Sequence, residues 1–276
     1  MEHKIVMDSA GDLQELSGVE FTCVPLKILA GDREFVDDRE ADVAGMVAYL
    51  RHYKGKATTA CPGVGEYLDA FADAENVYCI TITGNLSGSF GSASVAARTY
   101  QEQHPERKIH VFDSLSTGPE MVLMAEKIRT LIGQKCSFEE IVTQVKEYHS
   151  RTRLLFSLES LHNLANNGRV SPAVAKAAGL LGIRLVGRAS EDGRLEPMSK
   201  VRGEKRVAPE IIKHMDSLGY AGGRVHIAHC ENLSGAQKLR QLILEHYPDG
   251  EVTLGTTGAL CSFYAEQGGL LVGFET

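Results

Sequence analysis

Apolar positions along this chain keep one rhythm as far as about residue 155 and another beyond it. In the first part, short aliphatic or β-branched runs at 4–8, 21–29, 77–82 and 109–112 predict strands. Segments whose apolar residues recur every three or four positions, at 41–53, 66–74, 120–131 and 137–149, predict helices between them, with a further helix of small residues starting near Gly88. Strand and helix alternate, which predicts a mostly parallel sheet with helices on both faces. In the second part, strands at 154–158, 183–189, 194–201, 224–229, 251–256 and 270–274 are interspersed with helices at 161–166, 172–181, 204–218 and 234–246. Asp192-Gly193 lies between two of these strands and is the strongest hairpin signal in the chain. The fold class expected is therefore a parallel-sheet α/β domain over 1–155 followed by an antiparallel α+β domain over 156–276, with no repeat, low-complexity segment or long linker.

The most informative stretch is VYCITITGNLSGSFGS, residues 77–92, where a buried strand runs into glycines 84, 88 and 91 and then into a helix. Such a turn leaves the first amides of the helix unpaired and turned outward, where an anion can satisfy them. The spacing G-x3-G-x2-G is not the dinucleotide fingerprint. Two readings stand at this point: an anion cradle, or a tight connection. Three strands end in polar residues, Asp8-Ser9, Thr83-Gly84-Asn85 and Asp113-Ser114, so one edge of the sheet is expected to be polar, at the strand tips where α/β proteins place ligands. Thr58-Thr59 precede a Pro-containing turn and read first as a cap for the helix at 66–74. Arg169 and Arg202 each lie in a glycine-containing turn, NNGRVS and KVRGEK. They are either solvated surface or phosphate-recognising guanidinium groups.

Composition narrows the classes. With 43% hydrophobic and 24% charged residues, the chain has the balance of an ordinary soluble globule. A net charge of −7 argues against a nucleic-acid partner, which needs clustered Lys and Arg. No apolar run approaches the ~18–20 residues of a membrane span, and MEHKIVMDSA has no signal-peptide core, so stable membrane insertion is not expected and a cytoplasmic location is. The six cysteines form no C-x-x-C pair, and the ten histidines form no H-x-x-x-H motif, so reduced thiols and no metal site are expected. There is no G-x-S-x-G elbow and no phosphate-binding loop of the Walker type. Ser87 as a nucleophile would need a base that the sequence does not place beside it.

Seven segments, in order KIVMDSAGDL, TTACPGVGEYLDAF, TITGNLSGSFGSA, VFDSLSTG, SLESLHNLANNGRVS, LLGIRLVG with LEPMSKVRGEKR, and LLVGFE, make the chain similar to the DegV family, nearly end to end. These are bacterial fatty-acid-binding proteins that serve as the lipid-presenting subunit of fatty acid kinase. The resemblance implies a non-catalytic protein holding one fatty acid between two domains and presenting its carboxylate to a separate, ATP-dependent kinase subunit, which returns an acyl phosphate. It implies no cofactor beyond the bound lipid. Thr59 and Ser87 would bond the carboxylate, assisted by the amides at Ser87 and Gly88, while Arg169 and Arg202 would act at the mouth when the kinase docks.

The chain departs from the family in two places. Ala60, Cys61 and Gly63 replace the usual Ser, Gln and Ser around Pro62, and an ungapped count back from Val272-Gly273-Phe274 puts Tyr264 where the family has a histidine. Tyr264 can donate a hydrogen bond and is included among the carboxylate-binding candidates. Two rivals remain: a binding protein for a non-lipid small anion, and a small phosphotransferase using the glycine-rich turn.

Overall fold

The structure is a computed structural model describing residues 2–171, 174 and 182–276. The helix predicted over 172–181 lies outside the described residues apart from position 174.

Four parallel strands form the first sheet in the order β2-β1-β6-β7, with β1 His3–Asp8, β2 Glu20–Val24, β6 Asn76–Thr81 and β7 Lys108–Asp113. Successive side chains on a strand point to opposite faces, and here both faces are covered. Ile5, Met7, Tyr78 and Ile80 meet helices α4 Pro119–Gly133 and α5 Phe138–His149. Val6, Val77 and Cys79 meet α2 Val64–Phe71 and α3 Ser89–Gln103 on the other side. The unbroken apolar runs of β1 and β6 follow from this double burial.

The second sheet has six strands in the order β10-β9-β8-β13-β11-β12: β8 Thr152–Leu158, β9 Ile183–Ala189, β10 Leu195–Arg202, β11 Arg224–His229, β12 Glu251–Thr256 and β13 Leu270–Glu275. All neighbours are antiparallel except β11 and β12, which run parallel. One face, with Leu155, Val186, Val225, Ile227 and Val272, packs on α7 Val207–Ser217 and α8 Leu233–His246. The opposite face carries Leu154, Phe156, Leu158 and Leu271. Helix α4 reaches this sheet as well: a Cβ on Gly273 would lie 2.7 Å from backbone atoms of Pro119 and Glu120, so only glycine lets the first turn of α4 rest on β13.

Two predicted elements differ. The single strand expected at 21–29 is broken at Pro25, which has no N–H to give to a ladder. Its two parts join different sheets: β2 lies in the parallel sheet, while β3 Lys27–Ala30 is the middle strand of a three-stranded antiparallel sheet β4-β3-β5. That sheet includes β4 Arg33–Val36 and β5 Thr58–Ala60. The Thr58-Thr59 pair therefore belongs to a strand and is no helix cap, since the Gly63 amide at the start of α2 is satisfied by Glu66 Oε2 at 2.7 Å.

Helix α1 Val43–His52 and the short α6 His162–Asn166 complete the frame with α9 Ala259–Ala265, which lies in the stretch where no helix was predicted. Helix α9 packs on β3, α1 and α6, thus on parts of both sequence halves. Its first amides are held from far away in sequence: Asp12 Oδ1 accepts from Gly258 N at 2.7 Å, and Asp37 accepts from Ala259 N at 2.6 Å and Leu260 N at 3.1 Å. Asp37 is almost wholly buried, and that burial pushes its carboxyl above the ordinary range against the pull of the amides.

Candidate functional site

A cavity of about 330 Å³ lies where the two larger sheets and α9 converge. Its wall from the six-stranded sheet is the alternate set of β8 side chains, Leu154, Phe156 and Leu158, with Leu271 of β13 and Leu195 of β10. Leu164 of α6, Leu260 and Ala265 of α9, and Leu26 and Ile82 from the first half complete an apolar lining. A strand with both faces apolar needs a partner on each; β8 has α7 on one face and this cavity on the other.

Polar groups reach the cavity from separate elements: Thr59 on β5, Ser87 and Gly88 before α3, Thr117 before α4, Arg169 after α6, and Tyr264 on α9. Strand β5 is registered on β3 with Thr59 opposite Ile28, and α9 brings Tyr264 to meet it, so that Thr59 Oγ1 and the Tyr264 hydroxyl lie 2.7 Å apart. Burial raises the Tyr264 phenol above its ordinary value, while the Thr59 hydrogen bond and the Arg169 charge oppose this. The phenol thus stays protonated and can donate.

Thr83 organises the turn that carries Ser87. Its carbonyl accepts from Leu86 N at 3.1 Å and Ser87 N at 3.2 Å, and its hydroxyl accepts from Asn85 N at 3.2 Å. The Ser87 amide is therefore already committed to the turn, whereas the Gly88 amide has no hydrogen-bond partner among the described residues. The Ser87 hydroxyl lies 3.2 Å from that of Ser89. A Cβ on Gly88 would come within 2.9 Å of Cys61 Sγ, so glycine here permits a close approach between the turn and the β5 to α2 connection. Arg169 follows Gly168, whose φ of +73° suits glycine, and donates from Nε to the Leu86 carbonyl at 3.1 Å and from a terminal nitrogen to the Asn167 carbonyl.

Of the six residues singled out in the sequence, the structure brings five, Thr59, Ser87, Gly88, Arg169 and Tyr264, to one cavity. Arg202 is not among its lining residues; it is exposed at the end of β10, opposite Ile183. Sequence reasoning placed Thr83 only at a polar strand tip, without its part in the turn, and missed the cavity wall and Thr117. The doubly apolar pattern of β8 was a signal for the wall, although a packed core gives the same pattern.

The three polar strand tips do meet. Ile82 N donates to Asp8 Oδ2 at 3.0 Å, and Gly84 N to Asp113 Oδ1 at 3.1 Å. Asp8 is fully buried, and desolvation pushes its carboxyl up to about 7 despite the Ile82 amide. Among the described residues no group of three His, Cys, Asp or Glu is placed to hold a metal ion, and no helix is long and apolar enough to cross a membrane.

Comparison with known proteins matches residues 2–276 to the family model described as "Uncharacterised protein, DegV family". A DegV domain-containing protein of Streptococcus pneumoniae (strain R6) is 43% identical over 279 residues, spanning 100% of this chain and 99% of its own. Two crystal structures superpose closely. A DegV family protein from Eubacterium eligens, loaded with heptadecanoic acid, has a TM-score of 0.97 at 43% identity, covering 99% of each chain. The Streptococcus pneumoniae Fatty Acid Kinase (Fak) B3 protein, loaded with linoleic acid, has a TM-score of 0.98 at 43% identity, covering 100% of this chain and 99% of that one.

Proposed function

We propose, since the chain belongs to the DegV family, that it binds a long-chain fatty acid in this cavity and presents the carboxylate to a separate kinase subunit for conversion to an acyl phosphate. The observation that carries this reading is the pairing, in one cavity, of an apolar wall with a convergent group of hydroxyls, an unpaired amide and an arginine. Burying the tail of a 16-carbon acid supplies up to ~11 kcal/mol at ~0.8 kcal/mol per methylene, before the cost of ordering it. The carboxylate is held by neutral donors, Thr59, Ser87, the Gly88 amide and Tyr264, which stabilise a charge without the cost of burying a lysine. The fatty acids carried by the Eubacterium and Streptococcus structures support the ligand class, and the name of the latter supports the kinase partner.

In this reading the chain is a non-catalytic, cytoplasmic subunit; ATP and metal come with the kinase. Residues 1–155 carry the carboxylate cradle apart from Tyr264, and residues 156–276 supply Tyr264, cover the acyl chain and carry the arginine turns. Arg169 and Arg202 are assigned to the incoming phosphate, Arg169 from the cavity and Arg202 from the exposed end of β10, since a guanidinium fork matches paired phosphate oxygens.

Arg169→Ala tests the division of labour. Arg169 Nε and one terminal nitrogen are held by the backbone carbonyls of Leu86 and Asn167, which leaves the other terminal nitrogen for the phosphate. Its loss is expected to change fatty-acid affinity by less than about threefold while lowering kinase-dependent acyl phosphate formation by about tenfold or more, the scale of a charged hydrogen bond. Loss of lipid binding in this variant would place Arg169 among the carboxylate ligands and reject the assignment to phosphate. Phosphoryl transfer by the chain without a kinase subunit would favour the phosphotransferase reading.

A further inference from the structure

The tip of the β9–β10 hairpin, residues 190–194, belongs to the second half of the chain but rests on the turn that builds the carboxylate cradle in the first. Gly193, at φ +74°, sits directly on Thr83: a Cβ there would overlap Thr83 Oγ1 and lie 2.9 Å from Leu115 Cα. On either side of Gly193 the contact is polar. Asn85 Nδ2 donates to the Asp192 carbonyl at 2.6 Å, and Arg194 Nη2 donates to Asn85 Oδ1 at 3.0 Å, with Arg194 Nε braced on Asp192 Oδ2 at 2.8 Å. The hairpin thus grips two of the three residues that precede Leu86, Ser87 and Gly88. One of them, Thr83, supplies the acceptors for the Asn85, Leu86 and Ser87 amides.

We infer that this hairpin tip is a positioning element for the carboxylate cradle: Gly193 and Arg194 hold Thr83 and Asn85 so that the Ser87 hydroxyl and Gly88 amide point where the carboxylate lies. None of the gripping groups lines the cavity, while Leu86 and Leu195, the residues that follow the gripped turn and the tip, both do. A rigid second layer of this kind converts a flexible glycine-rich turn into preorganised donors. The cradle is then complete only when the two halves are closed on each other.

The inference rests on the fatty-acid reading, and a pair of ligands separates the two. Heptadecanoic acid and its methyl ester share a tail and differ in the negative charge. Each is titrated into the lipid-stripped full-length protein, for the wild type and for Gly193→Ala, Thr83→Val and Thr83→Ser. Gly193→Ala forces the tip off Thr83, and Thr83→Val removes the hydroxyl acceptor at nearly constant volume. Both are expected to weaken the acid about tenfold or more, the scale of a displaced charged hydrogen bond, and to change the ester less than about twofold. Thr83→Ser, which keeps the hydroxyl, restores the acid affinity. Should Gly193→Ala not fold, Asn85→Ala, whose two bonds to the tip are exposed, carries the same expectation. Parallel weakening of acid and ester, or no change in either, overturns the positioning role. A wild type that binds acid and ester alike overturns the carboxylate reading itself and this inference with it.

Discussion

The double variant Thr59→Val, Ser87→Ala is expected to bind long-chain fatty acid about 100-fold more weakly than the wild type and to fold normally. Each hydroxyl is assigned one hydrogen bond to an ionised carboxylate, and such bonds contribute roughly 1.5–3 kcal/mol apiece. Two together, roughly 3–6 kcal/mol, exceed the ~2.8 kcal/mol that two decades of affinity require, even if part is recovered by water. The fold is little disturbed because both side chains are only partly buried, and Val fills the space of Thr. Thr59→Val also releases the Tyr264 hydroxyl from its 2.7 Å partner. The phenol is then free to turn to the ligand, so the single Thr59 variant is expected to lose less than the Ser87 variant. Titration calorimetry on lipid-stripped protein measures this; an unchanged affinity in the double variant rejects the cradle as the carboxylate site.

Asp37→Ala has the largest expected effect on stability, about 3 kcal/mol. Two amides of the first turn of α9, Ala259 N and Leu260 N, lose their acceptor in a site that water does not reach. Leaving a buried donor unpaired costs roughly 1–3 kcal/mol each. Because α9 carries Tyr264 into the cavity, lipid affinity is expected to fall with stability. Asp37→Asn keeps an oxygen for one amide and removes a carboxyl whose charged form is disfavoured by burial, so its cost is expected to be under about 1 kcal/mol. Denaturant unfolding of the three proteins checks the order; equal stabilities would mean that the Asp37 bonds contribute nothing to holding α9.

These two cases show where sequence reading stops. The strand, glycine turn and helix at 77–92 were legible because local pattern and local conformation agree: an apolar run, a break, then small residues. The β9–β10 hairpin was legible for the same reason, through Asp192-Gly193. Helix α9 was not. It has only seven residues, and its N-terminus is capped by Asp12 and Asp37, more than two hundred residues away, so no capping signal precedes it locally. The resemblance that aligned Tyr264 with a site position did not reveal the helix that delivers it.

The division of 21–29 between two sheets was missed because apolar residues continue across Pro25, and the choice of sheet is a long-range matter. The cavity was hidden for a different reason. Leu154, Phe156 and Leu158 read as core whether the space beyond them is filled by side chains or left for a ligand. Thr83 is buried and has no motif of its own; only the three amides it collects reveal its work.

Mass spectrometry of the gently purified protein, first native and then after solvent extraction, tests the central claim most directly. One fatty acid per chain, released on extraction and absent from the Thr59→Val, Ser87→Ala variant, is the expected result. A lipid-free wild type that also fails to take up added heptadecanoic or linoleic acid would contradict it, and would leave the cavity to a different anion.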